Sequence, residues 1–404
     1  MKKGIVIGLL IMGIMAGAAC VFQVLLKKNA QQETMQNAEK KELILWSYYE
    51  TKAQKESLDL LMQDFNQSQK EYIASWEYVP MTEFTKRLSI GIMEGNLPDM
   101  VIIDNPDMMT YAELGIFEDL TQYDELWEEE DQYYQEVWKS VQWDGRYYGV
   151  PFTCNNVALI YNKEMLENAG ITPPSTWEEL ESTAAKLKKE NRYGFVMSCV
   201  AGEQAAFQVL PWILSAGETK NNLGGASTQE AFAFLQKLSE KGYMDANCVN
   251  WSQNDIARKF AQEEVAMMEN GPWVIPMLKE AGISYGIVPL PMKEDRVVIA
   301  GGENIGVIKD KDVDGAVAFL KYYSQGEVMK EICLKSSVLP PKMKEAQEAV
   351  TDNPDYQFFE EQMRSSLSRS DFGGWTTISK QLSDAIYGII TGEMDPDTAA
   401  QHLK

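Results

Sequence analysis

The sequence predicts an α/β protein of two lobes. Three observations carry that expectation. Strand-like apolar runs alternate with amphipathic helical stretches, the 404 residues suffice for about two domains at ~100–200 residues each, and the pattern breaks near 150–156 and again near 297–304. Repeated β then α favours a mostly parallel sheet in each lobe, flanked by helices. Two breaks of that kind make each lobe discontinuous in sequence. Ligands favour the cleft between such lobes, at the carboxyl ends of the strands.

The elements follow in chain order. Leu43–Tyr48 is a short apolar strand, and Ser57–Phe65 carries Leu58, Leu61, Met62 and Phe65 at helical spacing. Tyr72–Val79 alternates as a half-buried strand does, and Phe84–Met93 is helical again. Met100–Ile103 reads as a buried strand that Asp104-Asn105-Pro106 ends. The Glu128–Asp131 acidic run reads as a solvated helix face, because it lacks the spaced ligands and glycine of a calcium loop. Val157–Tyr161 and Tyr193–Ser198 add strands around a helix at Trp177–Lys189, which Thr176 and Glu179 open as a capping box. From Gln229 onward helices dominate, interrupted by Ile283–Val288 and Gly306–Ile308. The expected lobes are 42–153 plus about 301–350, and about 157–298 plus 351–404.

At the N-terminus, Lys2-Lys3 precede an apolar run from Gly4 to Ala19, then Cys20 and a further apolar stretch to Leu26. That order marks an export signal in 1–26. Gly17-Ala18-Ala19 before Cys20 resembles a lipoprotein cleavage box, with Cys20 as the lipidated residue. The alternative is an uncleaved anchor, since Gly4–Leu26 is long enough to span a bilayer at ~20 residues. Both alternatives put the mature protein outside the cytoplasmic membrane and tethered to it, through a polar linker at 27–41.

Composition removes several function classes. With 37 Lys plus Arg against 60 Asp plus Glu, the net charge is −23, which disfavours nucleic acid as a partner. The single histidine, His402, is at the extreme C-terminus, so no Ser-His-Asp or Cys-His set and no histidine zinc site can form in a cleft. Cys154, Cys199, Cys248 and Cys333 are widely spaced without a CxxC, so they are read as free thiols, although an exported chain leaves pairing open. No P-loop, GxSxG elbow or GxGxxG is present, and no cofactor or metal is expected.

Several segments in order are distinctive: Trp46-Ser47-Tyr48-Tyr49, Tyr147–Pro151 with Ala158–Lys163, Gly170–Leu180, Asn270-Gly271-Pro272-Trp273, Gly301–Val307, and Trp375 ahead of Ala385–Gly392. As a set they resemble the extracellular solute-binding proteins of family 1, the sugar-binding subunits of ABC importers, over about residues 42–403. Glu263 departs from the glycine frequent there, which affects a turn. The resemblance implies a two-lobed periplasmic-binding-protein-like fold, a mono- or oligosaccharide ligand, permease subunits as partners, and a monomer. It places Trp273 and Trp375 against the sugar, where an ordinary packing role is the alternative for each.

Other candidate contacts are Tyr48 and Glu50 after the first strand, Asp104 and Asn105 at the end of the buried one, and Asn155 and Asn156 at the first crossing. Gly302 and Glu303 mark the second crossing, where glycine permits close backbone approach, and Glu203 and Arg369 complete the set. Sugars present hydroxyl rims and apolar C–H faces, which call for aromatic platforms beside carboxylate and amide groups. The 10 Trp, 18 Tyr and 14 Phe supply the platforms. A sugar-sensing lipoprotein is a second reading, and an exported glycoside hydrolase a third, although nothing in the pattern fixes a carboxylate pair.

Overall fold

The computed structural model describes residues 40–404. The expectations for the leader, for Cys20 and for most of the linker therefore fall outside the described residues. Lys41, read as the last linker residue, instead opens the first strand, its N–H bonded to the Glu71 carbonyl at 2.9 Å.

Twelve strands are described: β1 Lys41–Ser47, β2 Tyr72–Tyr78, β3 Met100–Asp104, β4 Gln142–Trp143, β5 Arg146–Tyr147, β6 Gly149–Pro151, β7 Ala158–Asn162, β8 Met267–Asn270, β9 Tyr285–Val288, β10 Ile299–Ala300, β11 Glu303–Val307 and β12 Leu367–Ser368. The first lobe holds a five-stranded sheet in the order β2-β1-β3-β11-β6. β1 runs parallel to β2 and β3, whereas β11 is antiparallel to both β3 and β6. β3, with the sequence Met-Val-Ile-Ile-Asp, sits in the middle and is buried along its whole length. Helices Lys52–Ser68, Val313–Tyr323 and Gly326–Ser336 cover this sheet through Leu58, Leu61, Phe65, Phe319, Leu320 and Ile332.

The second lobe has its own core, built on β8-β7-β9 and on helices Glu203–Ser215, Ala226–Glu240 and Trp375–Thr391. Here the named strands all pair antiparallel, unlike the mostly parallel pairing expected. Tyr193–Ser198 forms no strand. It touches the sheet only through parallel bridges Tyr193–Val265 and Val196–Met268, so its hydrogen bonding is too sparse for a ladder.

Thr176 caps its helix, but the Glu179 carboxylate turns to Ser175 instead of completing the box. The acidic run 128–131 is solvent-exposed as expected, but it lies in turns and a single 3-10 turn, Glu130–Gln132. Glu263 adopts a φ of 61°, the left-handed conformation that suits the glycine it replaces.

Three chain segments cross between the lobes side by side. Asn155 and Gly301 exchange both backbone hydrogen bonds, at 3.0 and 2.8 Å, and Cys154 does the same with Leu339, at 2.9 and 3.0 Å. Around them a small third cluster joins Cys154, Ala158 and Ala300 to Ala346, Ala349, Phe359 and Met363. Residues 343–363, which the sequence divides between lobes at 350, thus pack at the crossings; the second core resumes at Phe372. All four described cysteines are buried and unbridged.

Candidate ligand cleft

A cavity of about 150 Å³ opens between the lobes. That is well above the roughly 10–15 Å³ a single water requires, so the cavity admits a small solute. From the first lobe come Tyr48, Glu50, Thr51, Gln54, Met81 and Asp104; from the second, Glu203, Gln204, Phe207, Gln253, Asn254 and Trp273. Asn155, Gly302, Glu303, Val338 and Arg369 fill in from the crossings.

Local structure explains these positions. Asp104 and Glu303 lie opposite one another in the β3–β11 register, at the end of the sheet nearest the cleft. Thr51 and Gln54 form a reciprocal capping box at the start of helix Lys52–Ser68, which holds the Gln54 carbonyl inward on the backbone N–H of Thr51 at 3.0 Å. Ser252 and Asp255 cap helix Gln253–Ala261 in the same way and so present Gln253 and Asn254. Gly271 has no side chain because a Cβ there would stand 2.0 Å from the Trp273 ring. Gly302, at φ 129°, lies so close that a Cβ would meet the Thr153 carbonyl at 2.2 Å.

Charge is arranged unevenly. Arg369 is 3% exposed and lies over the Phe207 ring, 4.7 Å from its centroid. It forms a bidentate pair with Asp104, at 2.6 and 2.9 Å, and also donates to Glu203. That guanidinium therefore links the lobes. Burial raises the Glu203 carboxyl while Arg369 pulls it back. Glu303 has no cation. It accepts from the hydroxyls of Tyr48 at 3.4 Å, Tyr49 at 3.2 Å and Thr153. Burial pushes its carboxyl up to about 7, against those hydroxyls and with help from Asp104. Asp107, behind Asp104, is pushed up to about 8 by burial and by its carboxylate neighbours. Two polar atoms of cleft-lining side chains lack partners: the Nε of Arg369 and the Oδ1 of Asn254.

Of the residues singled out from sequence, Tyr48, Glu50, Asp104, Asn155, Glu203, Trp273, Gly302, Glu303 and Arg369 line the cleft together. Three do not. Asn156 is fully buried among the crossings, donating to the Phe359 carbonyl at 2.8 Å and accepting from Gln362 at 2.6 Å. Asn105 is the buried first residue of helix Asn105–Glu113 and is not among the residues that line the cavity. Trp375 is buried against Phe372, and its indole N–H reaches Glu203 at 3.1 and 3.2 Å, so it supports a lining residue from behind. Thr51, Gln54, Phe207, Gln253 and Asn254 were missed in the sequence; the capping patterns Thr51-x-x-Gln54 and Ser252-x-x-Asp255 are the signal that marks most of them.

The chain was compared with known proteins. The profile of the bacterial extracellular solute-binding proteins matches residues 61–357, well over half of the chain. A binding protein of Brucella abortus (strain 2308) is 26% identical over 340 residues, covering 80% of this chain and 82% of that one. The maltotriose-binding protein of Pyrococcus abyssi is 27% identical over 303 residues, covering 69% and 63%. Among solved structures, the GacH receptor of Streptomyces glaucescens, determined unliganded and with acarbose, superposes with a TM-score of 0.81 at 22% identity over 90% of this chain and 96% of that one. Two lobes with separate cores, three crossings and a polar cleft between them agree with the matched profile, and the chain belongs to the bacterial extracellular solute-binding protein family.

Proposed function

We propose that this protein captures a carbohydrate in the interlobe cleft and delivers it to an ABC importer, transforming nothing. One observation carries the proposal. A single cavity gathers the aromatic side chains of Tyr48, Phe207 and Trp273 with the amides of Gln54, Asn155, Gln253 and Asn254 and the carboxylates of Glu50 and Glu303. A sugar answers all of these at once: each hydroxyl both donates and accepts, and the C–H faces cover the rings. Relatives that bind maltotriose and acarbose support the choice of ligand class.

Closure runs through the three crossings, so the lobes rock about 154–156, 301–303 and 339 while Trp273 and Tyr48 approach the ring. The ligand stabilises the closed form only by its greater affinity for that form. On this reading the lobes are 42–153 with about 301–338, and about 157–298 with 372–404, the segment between serving the crossings. The N-terminal segment exports the monomer, and Cys20 or the uncleaved apolar run holds it at the membrane.

A thermal-shift panel of mono- and oligosaccharides tests the proposal. A binder gains about 2.7 kcal/mol of stability at a ligand concentration of 100 Kd, so its own sugar raises Tm by several degrees. A flat response across the panel sinks it, and turnover of any sugar during incubation removes the non-enzymatic part.

A further inference from the structure

Four acidic side chains line the cleft, Glu50, Asp104, Glu203 and Glu303, against the one guanidinium of Arg369, and 4 − 1 leaves three acidic groups in excess. They are not equivalent. Arg369 spends its charge on Asp104 and Glu203, which both hold it directly. Among the described residues neither Glu303 nor Glu50 has an ion-pair partner, and Glu303 has only hydroxyl donors, its Oε1 a single one at 3.4 Å. A carboxylate withdrawn from water without a counter-charge is costly, and a cation brought to it recovers that cost. The rise of its carboxyl to about 7 agrees with the missing counter-charge.

We infer that the cleft grades ligands by charge: it accepts one uncharged sugar ring, holds an amine-bearing ring more tightly through Glu303 and Glu50, and rejects rings carrying carboxylate or phosphate. The inference rests on the sugar reading and names its ligand class. Arg369 offers no anion site, because an anion approaching its guanidinium would lie against Asp104 and Glu203 as well.

Triplets of equal size test the order: glucose, glucosamine and glucuronate, with the galacto and manno counterparts, titrated calorimetrically at pH 7.5 and about 0.15 M salt, where screening extends over ~8 Å. Unit charges a few ångströms from an unscreened carboxylate predict at least about tenfold tighter binding of the amine than of the acid within a triplet, the neutral sugar falling between. Glu303→Gln and Glu50→Gln are each expected to shrink that ratio about threefold or more. Glu50 is exposed, so its variant folds even where Glu303→Gln does not. An acid binding as well as its neutral counterpart overturns the inference, as do two folded variants that keep the full ratio. If none of these single rings binds while an oligosaccharide does, the inference falls and the proposed function stands. If no sugar of any length binds, both fall.

Discussion

Glu303 shows how one position joins fold and ligand. It begins β11, pairs across the sheet with Asp104, and points its carboxylate at three hydroxyls and no cation. Its carboxyl is raised from 4.5 to about 7, so the folded protein keeps a proton that the unfolded chain releases. The stability this supplies is complete below about pH 4.5 and is lost as pH rises through 7, a total of about 3 kcal/mol at 1.36 kcal/mol per unit. Urea denaturation between pH 5 and 8 should therefore show a smaller decline for Glu303→Gln than for wild type. Trp273→Ala should weaken sugar binding by about 1–3 kcal/mol with the fold intact, the range for an aromatic anchor. An unchanged titration curve in a folded variant removes Trp273 from the ligand site. Trp273, which the resemblance places at the sugar, lines the cleft from the loop Gly271-Pro272-Trp273. Trp375 looked the same in sequence, but its N–H is committed to Glu203 and its ring to the core, and only the packed helix decides that.

At the level of elements, helix starts do much of the work. Thr51 and Gln54 stabilise the first turn of Lys52–Ser68 and set the edge of the cleft at the same time. Thr51→Ala should cost about 0.5–2 kcal/mol in urea denaturation, the usual loss for an N-cap, and should weaken sugar binding as well by freeing Gln54. A loss of stability with unaltered affinity would show that the cap serves the helix alone. Such residues escape a sequence reading because a capping box looks alike whether it faces solvent or a cleft. Strands divide in the same way. β1 and β3 were legible because their apolar runs are buried by their own sheet. Tyr193–Ser198 has an equally strand-like sequence, but it finds only two bridging partners, a fact of the tertiary arrangement.

For the whole molecule, the decisive link is Arg369, which ties Asp104 of one lobe to Glu203 of the other. Thr110 and Thr376 meet across the same gap at 2.9 Å. Arg369→Met leaves two buried carboxylates facing each other, so it should cost about 3–5 kcal/mol in denaturation. It should also enlarge the radius of gyration of the unliganded protein in small-angle X-ray scattering. Unchanged dimensions would mean that the crossings alone set the lobe angle.

The same crossings bear on how the chain acquires its fold as it is made. β11 lies between β3 and β6 in space yet follows them by about 200 and about 150 residues, and the second core waits for Trp375–Thr391. The first lobe cannot close until its core ends at Val338, and the second not until Trp375–Thr391 has emerged. A nascent chain therefore stays unfinished through most of its length, which suits a polypeptide that must be threaded through a membrane before it settles, and a copy cut short before residue 303 should leave both halves open to proteases.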